Sequence, residues 1–302
     1  INRQEECNNI RTAGNFAAVL MLRGLIMRYM EIPVRTDCSQ PYARLETYIL
    51  DTPADKIRIA RRPMVIICPG GGYEKLSYRE GEPLAIHFMN QGYHACVLRY
   101  SVVPSRYPAA LLELGMAMKL IHEHAQDWHV DTDKIILHGA SAGGHLVASL
   151  GVFWHQKWLG EMLKVAPETL RPAGLMLSYP VITSDAVTGH LPSFANLLGD
   201  RYEEKLEEMS LEKQVTGKTP PCFLWHTATD DTVPVENSLL MAMALRKAGV
   251  PVELHVFPDG EHGLSLASKL VERVDGSGVQ EECQQWIGLA DAWLSRLCKG
   301  AQ

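Results

Sequence analysis

The stretch that most constrains this chain is Lys134 to Gly144, KIILHGASAGG. Three branched apolar residues, Ile135, Ile136 and Leu137, lead through His138 into Gly139-Ala140-Ser141-Ala142-Gly143. An apolar run this short, closed by glycine, reads as a strand buried on both faces of a parallel sheet. The pentapeptide fits GxSxG, a sharp strand-to-helix turn in which the serine takes a strained backbone and the glycines leave room for crossing main chains. Such a turn presents a hydroxyl at the carboxyl edge of a sheet and at the start of a helix. Five residues also match by chance, so the assignment depends on what surrounds them.

Around this turn, strand and helix patterns alternate. Tyr42 to Leu50 is strand-like, and Met64 to Cys68 (MVIIC) is a purely apolar strand that stops at Pro69-Gly70-Gly71-Gly72-Tyr73. A helical pattern over Glu82 to Gln91, a strand over Tyr93 to Tyr100 and a long helix over Leu111 to His124 precede the serine turn. After it come a helix from Ala142 to Trp154 and strands at Gly174 to Val181 and Pro221 to Thr227. A helix over Glu236 to Ala248, a strand over Val252 to Phe257 and a closing helix over Glu281 to Cys298 complete the series. Strands separated by helix-length segments predict an α/β fold with a mainly parallel central sheet flanked by helices. One catalytic domain is expected over residues 30–302. Ile182 to Pro220 interrupts the alternation where such a sheet opens its ligand crevice. With a charged helical piece around Tyr202 to Lys213, it is expected to form a small cap.

Composition excludes several classes. A net charge of −6 with no basic block argues against nucleic acid as a partner. The apolar stretch Phe16 to Met30 is interrupted by Arg23, Gly24 and Arg28, so no membrane span is expected. Seven cysteines without zinc-type spacing form neither a disulfide framework nor a metal site, and the odd count points to a reducing compartment, the cytoplasm. Met30 opens a segment that reads like a natural start. Residues 1–29 are therefore expected to be an accessory extension, an amphipathic helix lying on a groove or serving a homo-oligomer interface.

A serine nucleophile needs a base, because its free hydroxyl is almost fully protonated near neutral pH. Of the 12 histidines, His122, His124 and His129 read as solvated or capping residues, and His145, just after the serine, is expected at the pocket floor or in the core. His262 differs: it sits in Phe257-Pro258-Asp259-Gly260-Glu261-His262-Gly263, directly after a late strand. That position puts it at the same sheet edge as Ser141. The third partner should be a carboxylate that fixes the imidazole tautomer. Asp230 and Asp231 both follow the strand Pro221 to Thr227. The order serine, acid, histidine, each after its own strand, is that of the α/β-hydrolase fold. An oxyanion hole would draw one donor from the Ala142 N–H and another from Gly71 or Gly72, with Tyr73 beside them in the pocket.

From about Met30 to Cys298 the chain resembles the α/β-hydrolase esterases of the acetyl esterase and acetylxylan esterase (xylanase-associated hydrolase) type. The resemblance rests on CPGGGY (68–73), HGASAGGHL (138–146), SFANLLGD (193–200), WHTATDDTVPVENSL (225–239) and GVPVELHVFPDGEHGL (249–264). In that family the acid lies three residues before the valine of DxxVP, which implies Asp230 and leaves Asp231 as the alternate. Relatives of hormone-sensitive lipase carry HGGG where this chain has PGGG, a departure that favours the sugar-esterase branch. The resemblance implies hydrolysis of short acyl esters, acetyl first, on a carbohydrate or small alcohol, with neither metal nor organic cofactor. Two alternatives share the fold. A prolyl-oligopeptidase-like peptidase would ordinarily carry a large gating domain, and a catalytically silent binding protein would not need to keep all three residues of the relay.

Overall fold

The computed structural model describes residues 27–51 and 59–299. Eight strands form one sheet: β1 (Met27–Pro33), β2 (Arg44–Leu50), β3 (Arg62–Cys68), β4 (His94–Arg99), β5 (Val130–Ala140), β6 (Gly174–Ser178), β7 (Cys222–Thr227) and β8 (Val252–Phe257). Their spatial order is β1-β2-β4-β3-β5-β6-β7-β8. β1 and β2 pair antiparallel, as do β2 and β4, and every pair from β4 to β8 is parallel. The expected α/β architecture is therefore observed.

The helices are α1 (Glu82–Asn90), α2 (Ala109–Glu123), α3 (Ala142–Phe153), α4 (Lys157–Leu163), α5 (Leu191–Leu198), α6 (Tyr202–Lys205), α7 (Glu236–Lys247) and α8 (Gln285–Lys299). Side chains of the central strands alternate between two cores, as the two-residue period of a strand requires. Met64, Ile66, Ile135, Leu137 and Leu175 join α2, α3 and α7 on one face. Val65, Ile67, Ile136 and Met176 join α1 and α8 on the other. Both faces being covered explains why these strands are nearly unbroken apolar runs.

The chain leaves β3 toward β4 on one side and returns to β5 on the other, so the strand order reverses between β3 and β5. Loops at the carboxyl ends of such neighbours diverge and open a crevice. All twelve residues of α3 are buried, so the helix behind that crevice is locked within the core on every side.

Three elements differ from expectation. β1 begins at Met27, so the expected boundary after residue 29 falls inside a strand of the sheet, and residues 1–26 with their helix reading lie outside the described residues. α4 was not foreseen. Within 182–220 the regular helix is α5, whereas Tyr202 to Lys213 holds only the four-residue α6 and a 3-10 turn at Leu211–Lys213. The charge pairs Arg201–Glu204 and Lys205–Glu208, each three residues apart, suit a helix, but the chain turns because Met209 is buried and Ser210 Oγ accepts the Ser184 N–H. Packing overrides local charge pairing here.

Candidate active site

Ser141 closes β5 and opens α3 with φ 53° and ψ −121°, a region forbidding to an ordinary residue. Its glycine neighbours are required by the crossing chains. A Cβ on Gly139 would stand 2.2 Å from the Gly143 carbonyl oxygen, and one on Gly143 would stand 2.1 Å from that of Cys68. Ser141 Oγ–H donates to His262 Nε2 at 2.8 Å, and His262 Nδ1–H donates to Asp230 Oδ2 at 2.7 Å. The three residues therefore form one relay across 121 residues of sequence. Asp231 is exposed and among the described residues bonds only the Thr232 hydroxyl, so the carboxylate facing the imidazole belongs to Asp230.

Asp230 is shaped by its turn. Its Oδ1 accepts the N–H groups of Thr232 at 3.0 Å and Val233 at 2.9 Å. Its Oδ2 also lies 3.3 Å from Nε2 of the fully buried His226, which donates to the Val233 carbonyl at 2.8 Å. Burial alone would push this carboxyl up. The hydrogen bonds from His226, His262 and the Val233 N–H outweigh it and hold the group well below the usual carboxylate range. The His262 loop is itself clamped. Arg273 Nη2 donates to the His262 carbonyl at 2.8 Å, and Arg79 Nη1 to that of Gly263 at 2.7 Å.

The glycine loop after β3 lies directly against the serine: a Cβ on Gly70 would stand 2.9 Å from Ser141 Cβ. Its carbonyls are each engaged. Gly70 O accepts the Ser77 N–H at 2.9 Å, Gly71 O accepts those of Glu74 at 3.0 Å and Lys75 at 3.1 Å, and Gly72 O accepts Asn196 Nδ2 at 2.9 Å. In a trans peptide the N–H points opposite to the preceding C=O. The N–H groups of Gly71 and Gly72 therefore point the other way, and like that of Ala142 they make no hydrogen bond among the described residues.

The sequence places Tyr73 in the pocket and His145 at its floor or in the core, but neither side chain offers a free group to a pocket. Both are buried; the Tyr73 hydroxyl and His145 Nδ1 bond each other at 3.0 Å, and His145 Nε2 bonds the Met209 carbonyl at 3.0 Å. Burial lowers the His145 pKa to about 4, so the ring is a neutral strut between the glycine loop and segment 182–220. Phe194 of α5 packs edge-on to the same ring. His190, at the start of α5, was not singled out by sequence. Its Nδ1 bonds Ser193 Oγ at 2.8 Å, and burial together with the charge of His262 lowers its pKa. Among the described residues no cluster of His, Cys, Asp and Glu forms a metal site, and no helix is long and apolar enough to cross a membrane.

With this geometry in hand, comparison with known proteins decides the family. The BD-FAE family model matches residues 50–245. The chain belongs to the BD-FAE family. Its resemblance to two solved structures covers almost the whole length of each. An acetyl ester-xyloside bifunctional hydrolase from Caldicellulosiruptor lactoaceticus superposes with a TM-score of 0.76 at 35% identity, over 90% of this chain and 97% of that one. A carboxylesterase from Lactobacillus plantarum superposes with a TM-score of 0.79 at 31% identity, over 91% and 100%. Both are similar α/β hydrolases. Among curated relatives, endo-1,4-beta-xylanase B of Butyrivibrio fibrisolvens is 40% identical over 69% of this chain and 33% of its own length. An acetylxylan esterase of Xylanibacter ruminicola is 27% identical over 68% and 41%. The chain thus spans well under half the length of these two curated relatives.

Proposed function

We propose that this chain is a serine carboxylesterase that removes short acyl groups, acetyl first, from an acetylated carbohydrate such as a xylan oligosaccharide. The observation that carries the reading is the relay Ser141–His262–Asp230 facing unpaired backbone N–H groups on the glycine loop and at Ala142. Ser141 Oγ attacks the ester carbonyl while His262 Nε2 takes its proton. Asp230 holds the Nδ1–H tautomer and stabilises the imidazolium. The developing oxyanion is met by the N–H of Ala142 and those of Gly71 or Gly72, at the end of a helix whose dipole favours negative charge. His262 then protonates the departing alcohol and activates water against the acyl-enzyme. No step calls on a metal or an organic cofactor.

The alcohol side of this reading is supported by the names of the relatives, which include an acetylxylan esterase and an acetyl ester-xyloside hydrolase. Segment 182–220 is the cap in this reading, with His190 at its mouth. The unpaired, buried Cys68, Cys96 and Cys222 fit a reducing compartment such as the cytoplasm. The test is hydrolysis of 4-nitrophenyl esters from acetate to octanoate beside acetylated xylo-oligosaccharides and an aminoacyl-proline amide. Turnover should be greatest with acetate. An apolar acyl pocket discriminates one methylene by only about 1 to 3 kcal/mol, so the fall to propionate should be modest. A maximum at octanoate would move the protein to the lipases, cleavage of the amide alone would make it a peptidase, and no turnover of any ester would sink the proposal.

A further inference from the structure

Glu80 lies on the short 3-10 turn Tyr78–Glu80 between the glycine loop and α1, outside the relay, yet only 3% of it is exposed. Its Oε2 accepts the Gly70 N–H at 2.8 Å, and its Oε1 accepts the Tyr179 hydroxyl at 2.8 Å. Tyr179 follows β6. Its hydroxyl also accepts the Ser265 N–H at 2.8 Å, and its ring stands edge-on to His262 with centroids 5.1 Å apart. One carboxyl group therefore joins the two walls of the crevice, the glycine loop through Gly70 and the histidine loop through Tyr179.

The demand on this group is specific. Both neighbours are donors, because burial and then the nearby Glu80 keep the Tyr179 phenol protonated. Two acceptor oxygens are needed at once, which a carboxylate supplies and an amide does not. The peptide Pro69–Gly70 is pinned at both ends, Glu80 taking its N–H and the Tyr100 hydroxyl donating to the Pro69 carbonyl at 2.6 Å. The next peptide carries the Gly71 N–H. From this bridge we infer that Glu80 is a positioning residue for ester cleavage: it sets the oxyanion donors of the glycine loop at a fixed place relative to the His262 imidazole.

The inference rests on the esterase reading, so wild-type turnover of 4-nitrophenyl acetate is measured first, and its absence would count against that reading instead. Glu80→Gln and Tyr179→Phe are then compared with wild type in kcat, KM, melting temperature and inhibition by a trifluoromethyl ketone. That inhibitor adds to the serine and places a tetrahedral oxyanion in the hole. Removing a donor outright costs about 10² to 10³ in turnover, so misplacing one should cost about 10- to 100-fold in kcat. KM should stay within about threefold, and the ketone should bind more weakly by the factor lost in kcat/KM, since only transition-state complementarity is touched. Tyr179→Phe keeps the bond to Gly70 and should show a smaller fall in kcat, again with KM unchanged. It decides the matter if Glu80→Gln fails to fold. Loss of melting temperature with kcat and ketone binding retained, in whichever variant folds, would overturn the inference and leave Glu80 a core residue.

Discussion

At the scale of single residues, the arrangement separates two adjacent carboxylates that the sequence leaves side by side. Asp230 is buried and bonded by His262, His226 and two backbone N–H groups, whereas Asp231 faces solvent. Asp230→Asn should lower kcat about 10⁴-fold by allowing the wrong imidazole tautomer, while Asp231→Asn should stay near wild type. Ser141→Ala should lose roughly 10⁶-fold. Steady-state kinetics on 4-nitrophenyl acetate check all three. Equal losses at the two aspartates would refute the assignment. The relay was legible because each member follows an apolar strand. Glu80 was not: a glutamate between Arg79 and Gly81 reads as surface, and only the structure shows its carboxyl turned inward between Gly70 and Tyr179. His226 was hidden in the same way, as a polar residue inside a strand. Its burial against Asp230 depends on the β7 turn folding back.

At the scale of elements, the junction of β3, β5 and α3 is so tight that main chain packs on main chain. Gly143→Ala would put a methyl group 2.1 Å from the Cys68 carbonyl and 2.5 Å from that of Pro69. It should destabilise by about 1 to 3 kcal/mol and displace the glycine loop, abolishing most activity. Gly151→Ala on the same helix meets only the flexible end of Leu175, at 2.3 Å, and should retain turnover. Urea melts and activity measured on both variants decide this, and similar turnover in the two would contradict the packing argument. Strands β3 to β7 were legible because burial on both faces leaves them largely apolar. β1, MRYMEIP, was not: as an edge strand it is half-exposed and carries charges, so its pattern merges with the preceding residues. The segment from 182 to 220 was legible as an interruption but not in its internal form. Its turns are set by side-chain contacts to Gly72, His145 and Asn237 that lie far away in sequence.

At the scale of the whole molecule, three buried histidines set the acid side of stability. Burial, the largest cause for each, pushes His94 and His145 down to about 4 and His138 down to about 3. Their folded pKa values lie below the ordinary 6.5, so the unfolded chain binds more protons as pH falls from about 6.5 toward 4. Stability should therefore decline across that window, by roughly 2 kcal/mol per histidine at pH 5. Asp230, held low, contributes stability above the ordinary carboxylate range that is lost only at still lower pH. Urea denaturation from pH 7 to 4.5 should show this fall, and His145→Gln should flatten it. A flat profile in the wild type would mean that these rings charge freely in the fold. The spread of the site across the sheet has a further consequence, in time. The glycine loop hangs on β3, the serine on β5, the aspartate on β7 and the imidazole on β8, which is both the last strand in sequence and the far edge of the sheet. Such long-range contacts form late, after many loop closures. A chain still being synthesised or only partly docked carries the serine without its base, so the nucleophile is armed only when the final strand has found its place.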